Sequence, residues 1–393
     1  MARVSGFMEA LRSRFNEVFI DAFCDSKHNA TTIVPGFLNI RTYVSAHNVI
    51  IRILLLLMTE LVVSWLSVLI PVYNVEAYLQ ACVRSVLAQA IAGVEVLLLD
   101  DAATDGSPAL MRAIAEENPG VVRCIAHPYN RGLAAARNTL LEHARGNYVW
   151  FLDSDDLLLP GAVAALERVV KTYAPDLVMC GFAFVRERQQ LRHRLRGELH
   201  RRTFGFSMTS PSHDRAKLLT GLLSRGELHA WSKIARREVW QQAPFPEGRY
   251  FEDIATVPAL IEASISFIHI AESWVGYRQR AGSILSDYNA VKLQHLLLSI
   301  GELNQRGRQL SVAKQSGCET NIEDFCLRSF GSAARHIAKL KGDERIALVA
   351  SYQAALPIIF PTGLTRVLHR WWRSGWWLRA IRIRLTLKRA GIL

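Results

Sequence analysis

The chain has 393 residues, half of them apolar, and 47 Lys/Arg against 35 Asp/Glu for a formal net charge of +12. That length fits one large domain with appendages or two domains, with enough apolar material for a sizeable core. The cysteines Cys24, Cys82, Cys124, Cys180, Cys318 and Cys326 show no CxxC pairing, which argues against a zinc site or a disulfide framework and suits a reducing compartment.

The charge is unevenly placed. Residues 364–393 contribute +8 without a single acid, and residues 1–57 contribute +2, leaving only +2 for the rest. The basic character therefore belongs to a tail, which points to a surface partner. At the other end, Val49 to Leu57 is apolar except for Arg52. It falls short of the roughly 20 residues a spanning helix needs, and it lacks the layout of a signal peptide. Met58 is the expected physiological start, with residues 1–57 poorly ordered or artefactual.

From Leu66 the pattern becomes regular. Leu66–Ile70 reads as a strand ending at Pro71, with Tyr73 and Asn74 beyond it and Asn74 placed to cap a helix. Tyr78, Leu79, Cys82, Val83, Val86 and Leu87 share one helical face. Val94–Leu99 is a second strand ending in Asp100-Asp101, and a helix follows Thr104-Asp105-Gly106-Ser107. Val121–Ile125 is a third strand, and the loop His127 to Gly132 leads to a helix carrying Arg137 and Asn138. Tyr148 to Leu152 is a buried strand running into Asp153, Asp155 and Asp156. A helix to about Tyr173 and a strand over Leu177–Phe182 follow. Alternation of this kind predicts right-handed βαβ units and a mostly parallel sheet, with ligands beyond the carboxyl ends of the strands.

Residues 184–215 are an arginine-rich excursion. A helix is expected over about Asp214–Leu223, then Trp231-Ser232-Lys233-Ile234, then a helix led by Glu252-Asp253. Ser264–Ile270 reads as a strand, Tyr277 to Ser283 as a basic loop, and 291–356 as helical. In residues 364–393, Trp371, Trp372, Trp376 and Trp377 stand among eight cations. That composition fits a helix lying in the interface of an anionic membrane; an ordinary packed helix with a basic outer face is the plain alternative. No nucleic-acid-binding motif accompanies it.

Three strands end in polar or acidic residues: Tyr73/Asn74, Asp100/Asp101 and Asp153/Asp155. Carboxylates at a buried strand end are costly unless they bind a cation or find donors. Without His or Cys partners they favour a hard cation, Mg²⁺ or Mn²⁺, bound with substrate phosphates. Tyr73 and Asp101 suit a base to stack and a hydroxyl or ring N–H to bind. Neither GxGxxG nor a P-loop is present. A nucleotide diphosphate whose nucleotide departs makes group transfer the natural reaction.

Ser67 to Asn74, Asp100-Asp101, Asn130-Arg131-Gly132, Ala135-Ala136-Arg137-Asn138 and Phe151 to Asp156 resemble, in order and spacing, the motifs of family 2 glycosyltransferases with the GT-A fold. Glu252-Asp253 and Tyr277-Arg278-Gln279-Arg280 resemble that family's downstream motifs. The resemblance covers roughly residues 64–285. It implies an N-terminal extension (1–63), a GT-A domain with a mostly parallel central sheet (64–285) and a helical region with a basic, tryptophan-rich tail (286–393).

The resemblance also implies roles. Tyr73, with the Pro71 backbone, would lie by the nucleobase, and Asp101 would contact the base with Asp100 beside it. Arg137 would reach the nucleoside or diphosphate. Asp155 would be the direct metal ligand and Asp153 its nucleoside-side neighbour. Asp253 would be the general base of an inverting displacement, and Lys233 and Arg280 would hold the departing diphosphate. The expected activity is sugar transfer from a nucleotide-sugar, UDP-linked by preference, to a glycan or lipid-linked acceptor in envelope or extracellular polysaccharide synthesis. The expected location is the cytoplasm or the cytoplasmic face of the membrane. Ala102-Ala103 replaces the family's usual glycine-serine, and Leu140 replaces a common glycine; both bear on loop geometry. An Asp-nucleophile phosphotransfer enzyme and a non-catalytic nucleotide-sugar-binding module are the competing readings.

Overall fold

A computed structural model describes residues 64–186, 199–279 and 288–393. The expectations for residues 1–57 and Met58, and the site assignment of Arg280, lie outside the described residues. Among those residues the sheet has eight strands, in the order β3-β2-β1-β4-β7-β6-β8-β5. They are β1 (Leu66–Val72), β2 (Val94–Asp100), β3 (Val122–Ala126), β4 (Tyr148–Phe151), β5 (Leu157–Leu158), β6 (Leu177–Val185), β7 (Lys233–Arg236) and β8 (Phe267–Arg278). The first four are mutually parallel, β7 runs antiparallel between β4 and β6, and β6 and β8 are parallel again.

The helices interleave with them: α1 (Glu76–Leu87), α2 (Ser107–Glu117), α3 (Leu133–His143), α4 (Ala162–Tyr173), α5 (Arg215–Arg225), α6 (Arg237–Gln241) and α7 (Glu252–Ala263). Both faces of the sheet are covered, which is why all of β1 and most of β2 can be buried without alternation. The period of two still sorts the side chains. Val68, Ile70, Val96, Leu98 and Trp150 face α1, α2 and α4. Leu69, Leu97, Leu99, Val149 and Phe151 face α3, α5 and α7, in a core that continues into the following helices. Those are α8 (Ala290–Gln309), α9 (Cys318–Ile337), α10 (Gly342–Ile359), α11 (Leu364–Arg373) and α12 (Trp377–Ala390).

Register decides what meets at the sheet's carboxyl edge. Val72 pairs with Asp100, Asp100 with Ala126, and Leu69 with Phe151, so the ends of four strands reach that edge. Because β7 is antiparallel to β4, its first residues rather than its last reach that edge, and Trp150 pairs with Ile234. The end of β8 arrives there too, where Arg278 donates its backbone N–H to Asp156 Oδ1 at 2.8 Å. The close pairing of β4 with β1 requires Gly146, because a Cβ there would stand 2.5 Å from the Ser67 nitrogen.

Two local expectations change. Asn74 does not cap α1; it takes φ 51° and its side-chain oxygen accepts from Thr104 N–H at 2.8 Å. The first turn of α1 is instead held from the next loop, with Ser107 Oγ accepting from Val75 N–H and Asp105 from Glu76 N–H. The last strand is later and longer than Ser264–Ile270. Its pairing with β6 slips from Cys180–Ile270 to Gly181–Ser273, a bulge that masks the alternation. Tyr277 and Arg278 therefore belong to the strand end, not to a loop.

Candidate active site

Arg137 lies at the centre. It sits on α3, and its side chain is only 1% exposed. Its Nη1 donates to Glu252 Oε1 at 2.7 Å and to Asp253 Oδ1 at 2.9 Å, and its Nη2 to Asp153 Oδ1 at 2.9 Å. The guanidinium also stands over the Phe245 ring, 5.3 Å from its centroid. One cation thus ties the end of β4 to the start of α7. The sequence expectation had this guanidinium reaching the nucleoside or diphosphate; in the fold it is buried and committed to three carboxylates.

Three carboxylates against one guanidinium leave excess negative charge in a dry place. Burial, then the neighbouring Asp253 charge, raises Glu252 from 4.5 to about 7, despite the contact with Arg137. Burial also holds Asp153 above the ordinary carboxylate range; Arg137 opposes this, and Asp155 and Asp253 add to it. Asp253 is the more open of the α7 pair, with its side chain 18% exposed against 7% for Glu252. Its second oxygen accepts from Ala230 N–H at 3.3 Å. Phe251, just before the pair, holds φ 63°, a left-handed conformation that lets the chain turn sharply into the helix.

Past β4 the chain places Asp153, Asp155 and Asp156 within a single turn. Asp156 is fully buried and leads no helix: Oδ1 accepts from Arg278 N–H, while Oδ2 has no partner among the described residues. Burial, then Asp153 and Asp155, pushes Asp156 well above its usual range. The same carboxylates raise the buried Cys82 thiol, after burial itself. Arg278 Nε donates to the Asp155 carbonyl at 2.8 Å. Among the described residues no group of three His, Cys, Asp or Glu side chains is placed to hold a metal ion by itself. The donor set nevertheless fits a divalent cation held from one side by Asp155 and Asp153, with diphosphate oxygens completing the shell, since Mg²⁺ is usually bound by one or two carboxylates plus substrate phosphates. The crowding of negative charge at this turn is what such a cation would relieve.

On the nucleobase side, Tyr73 is 47% exposed at the end of β1, while Pro71 is buried in the strand. Asp100 accepts from Ala103 N–H at 2.8 Å and so shapes the turn at Ala102, whose φ is 57°. Asp101 does not present a free carboxylate. Oδ1 accepts from Arg131 N–H at 2.9 Å and lies 2.7 Å from His127 Nδ1, and Oδ2 accepts from Gly132 N–H at 2.8 Å. It therefore builds the loop between β3 and α3 from within. Gly132, at φ 86°, is the residue that lets the loop turn into α3.

Lys233 is the clearest departure from expectation. It is 1% exposed, and its Nζ donates to the His229 carbonyl at 2.8 Å and to Ser232 Oγ at 3.2 Å. It points into the protein beneath Asp253, lining a cavity of about 10 Å³ with Asp253, Trp240 and Phe245, room for about one water. Burial lowers it from 10.5 to about 8, against the pull of Asp253. An inward lysine at the first position of an antiparallel strand is what its alternation with the buried Ile234 conceals.

Glu252, His127 and an aromatic wall were not assigned roles from the sequence. His229 stacks on Trp231 with ring centroids 4.7 Å apart, and Trp231 on Tyr277 at 5.7 Å. The wall runs from the neighbourhood of the acidic turn towards Asp253. No local pattern signals it, because its members come from β8 and from the segment before β7.

The family model described as "Glycosyl transferase family 2" matches residues 67–224. The chain is 28% identical over 225 residues to glycosyltransferase GlyA of Streptococcus pneumoniae, covering 56% of this chain and 31% of GlyA. It is 40% identical over 114 residues to a hyaluronan synthase of Pasteurella multocida, covering 29% of this chain and 11% of that one. The chain thus spans about a third of one relative and about a tenth of the other. In fold it is similar to residues 1–349 of S. aureus TarS, crystallised with UDP-GlcNAc: TM-score 0.62 at 16% identity, covering 83% of this chain and 92% of the other.

Proposed function

We propose, from the match of residues 67–224 to the model of glycosyl transferase family 2, that the chain transfers a sugar from a nucleotide-sugar to a hydroxyl acceptor with inversion. The observation that carries this reading is the meeting of Asp153, at the end of β4, and Asp253, at the start of α7, on the single guanidinium of Arg137. The acidic turn that would take a nucleotide diphosphate and the carboxylate that would take a proton thereby share one site.

In this reading the donor's base lies against exposed Tyr73, on the loop that Asp100 and Asp101 shape. Asp155 with Asp153 would hold Mg²⁺ or Mn²⁺, which when bound would neutralise the diphosphate. Asp253 accepts the proton of the acceptor hydroxyl as its oxygen bonds to the anomeric carbon, and the bond to the nucleotide diphosphate breaks with its electron pair on that leaving group. Arg137 orients Asp253 through one carboxylate oxygen, and Ala230 N–H fixes the other. Attack opposite the leaving group inverts the anomeric carbon. TarS was crystallised with UDP-GlcNAc and the Pasteurella relative is named a hyaluronan synthase. The first is in keeping with a UDP-sugar donor and the second with a glycan product.

A nucleotide-sugar panel scored for released nucleotide, with Mn²⁺ present or chelated, tests the reading. Asp253→Asn is expected to retain UDP binding and lose transfer, by about 10²–10⁴-fold for removal of a general base. Asp155→Ala is expected to lose metal-dependent binding. Full transfer by Asp253→Asn removes the base assignment; no turnover of any donor by the parent chain removes the function.

A further inference from the structure

Helix α12 buries one face and leaves the opposite one apolar as well, and α11 before it buries Leu364, Val367 and Trp371. In α12 the inner face is Ala380, Ile383, Leu387 and Ala390. Leu378, Ile381 and Leu385 lie on the far side at spacings of three and four, with Leu378 65% and Leu385 50% exposed. Trp372, Trp376 and Trp377 extend this outer strip through the turn between the helices, all of them exposed. A helix on a water-facing surface carries polar residues there.

The structure also divides the basic and aromatic residues of 364–393 into two sets. Arg370 is used internally: it donates to Glu323 Oε2 at 2.7 Å and to Asp324 Oδ1 at 2.6 Å. Trp371 is buried, with its indole N–H on Asp324. The two acids beneath the helix pair are therefore consumed and do not offset the outer charge. Among the described residues, Arg370 is the only cation of 364–393 in an ion pair. Arg379, whose guanidinium lies 5.2 Å from the Trp376 ring centroid, Arg382, Arg384 and Lys388 flank the apolar strip, all exposed.

We propose that this outer face of α11 and α12 docks on an anionic lipid surface, with the tryptophans and aliphatic side chains in the headgroup boundary and the cations on lipid phosphates. Charge complementarity selects the occupant: seven cations without an acid on 364–393 once Arg370 is set aside. Exposed indoles beside guanidinium groups are what an interfacial helix uses, and a basic groove for nucleic acid would not need an aliphatic centre line. The attachment is superficial. Among the described residues no single helix is long and apolar enough to cross a membrane, although the bent pair α10–α11 passes by length and composition. The inference stands apart from the catalytic reading.

The test is flotation of the full chain with vesicles of phosphatidylcholine alone or with about a third phosphatidylglycerol, at low and high salt. Binding is expected only to the anionic vesicles and should weaken with salt. Arg382→Gln with Lys388→Gln should weaken it by about 30-fold, from about 1 kcal/mol for each cation near such a surface. Leu378→Ser with Leu385→Ser should weaken it at least about tenfold. These positions face away from the core, so circular dichroism and the unfolding midpoint should not move. Equal binding to neutral vesicles, unchanged binding in the Gln variant, or binding to duplex DNA in place of vesicles overturns the proposal.

Discussion

Asp153 and Asp253 come from separate segments and share one guanidinium, each accepting from Arg137 at 2.9 Å. Glu252 is the third acceptor on the same group. This cluster is both a structural clasp and the setting of the proposed chemistry, and the two roles can be separated.

Arg137→Met leaves three carboxylates around an apolar side chain. Breaking a buried ion pair from one side costs about 3–5 kcal/mol, so the variant should unfold at markedly lower urea. Arg137→Lys keeps the charge but loses the fork that reaches two elements at once, and should fall between the two. A loss below about 1 kcal/mol in Arg137→Met would show that the clasp does not hold the fold.

Glu252 governs an acid-side pH dependence. Its folded value, about 7, lies above the ordinary 4.5, so between those values the folded state binds more protons than the unfolded one. Its contribution to stability is therefore present at low pH and lost as pH rises towards 7, by about 3 kcal/mol at most. His269 acts in the opposite sense. Burial lowers it to about 4, so stability rises with pH up to its ordinary 6.5. The difference curve between parent and Glu252→Gln isolates the carboxyl: near zero at pH 4.5, with the Gln chain the more stable at pH 7.5. A flat difference curve refutes the assignment.

Lys233 supplies the alkaline counterpart. Its folded value, about 8, lies below 10.5, so the unfolded state binds more protons in between and stability should rise as pH climbs through that window. Lys233→Met should abolish the rise and leave the donor KM within about threefold, since the ammonium faces inward. A large increase in donor KM with an unchanged pH profile would restore the diphosphate role expected from the sequence.

Asp101→Asn tests the loop between β3 and α3. The carboxylate accepts from two backbone N–H groups and faces the His127 ring; an amide would turn a donor towards one of them. A loss of about 1–3 kcal/mol is expected from the unsatisfied buried group, read as a lower thermal midpoint without nucleotide. An unchanged midpoint with weakened UDP binding would instead make Asp101 a base contact.

Local chemistry alone carried the parallel order of the first strands and the acidic strand ends. Apolar runs of strand length, turn residues and helical spacing are set by neighbours in the chain. Leu66–Val72, Val94–Asp100 and Tyr148–Phe151 were legible for that reason. The lengthened last strand was not, because its bulge opposite Gly181 is defined only by its partner.

The sequence by itself determined the composition of the site: an aromatic and two acidic segments at strand ends, an arginine on the intervening helix, and a carboxylate pair far downstream. Only the tertiary structure decided which of these are spent on one another. Arg137 and Asp101 are buried and held from elements distant in the chain, and Lys233 is turned inwards onto the His229 carbonyl, whereas Tyr73 remains exposed. The same holds for residues 364–393, where the sequence lists eight equivalent cations and packing against Glu323 and Asp324 removes one of them to the interior. The reason is physical: a charged side chain has the same formula in water and in a core. Which of the two it occupies, and what neutralises it there, depends on contacts that exist only once the chain has folded.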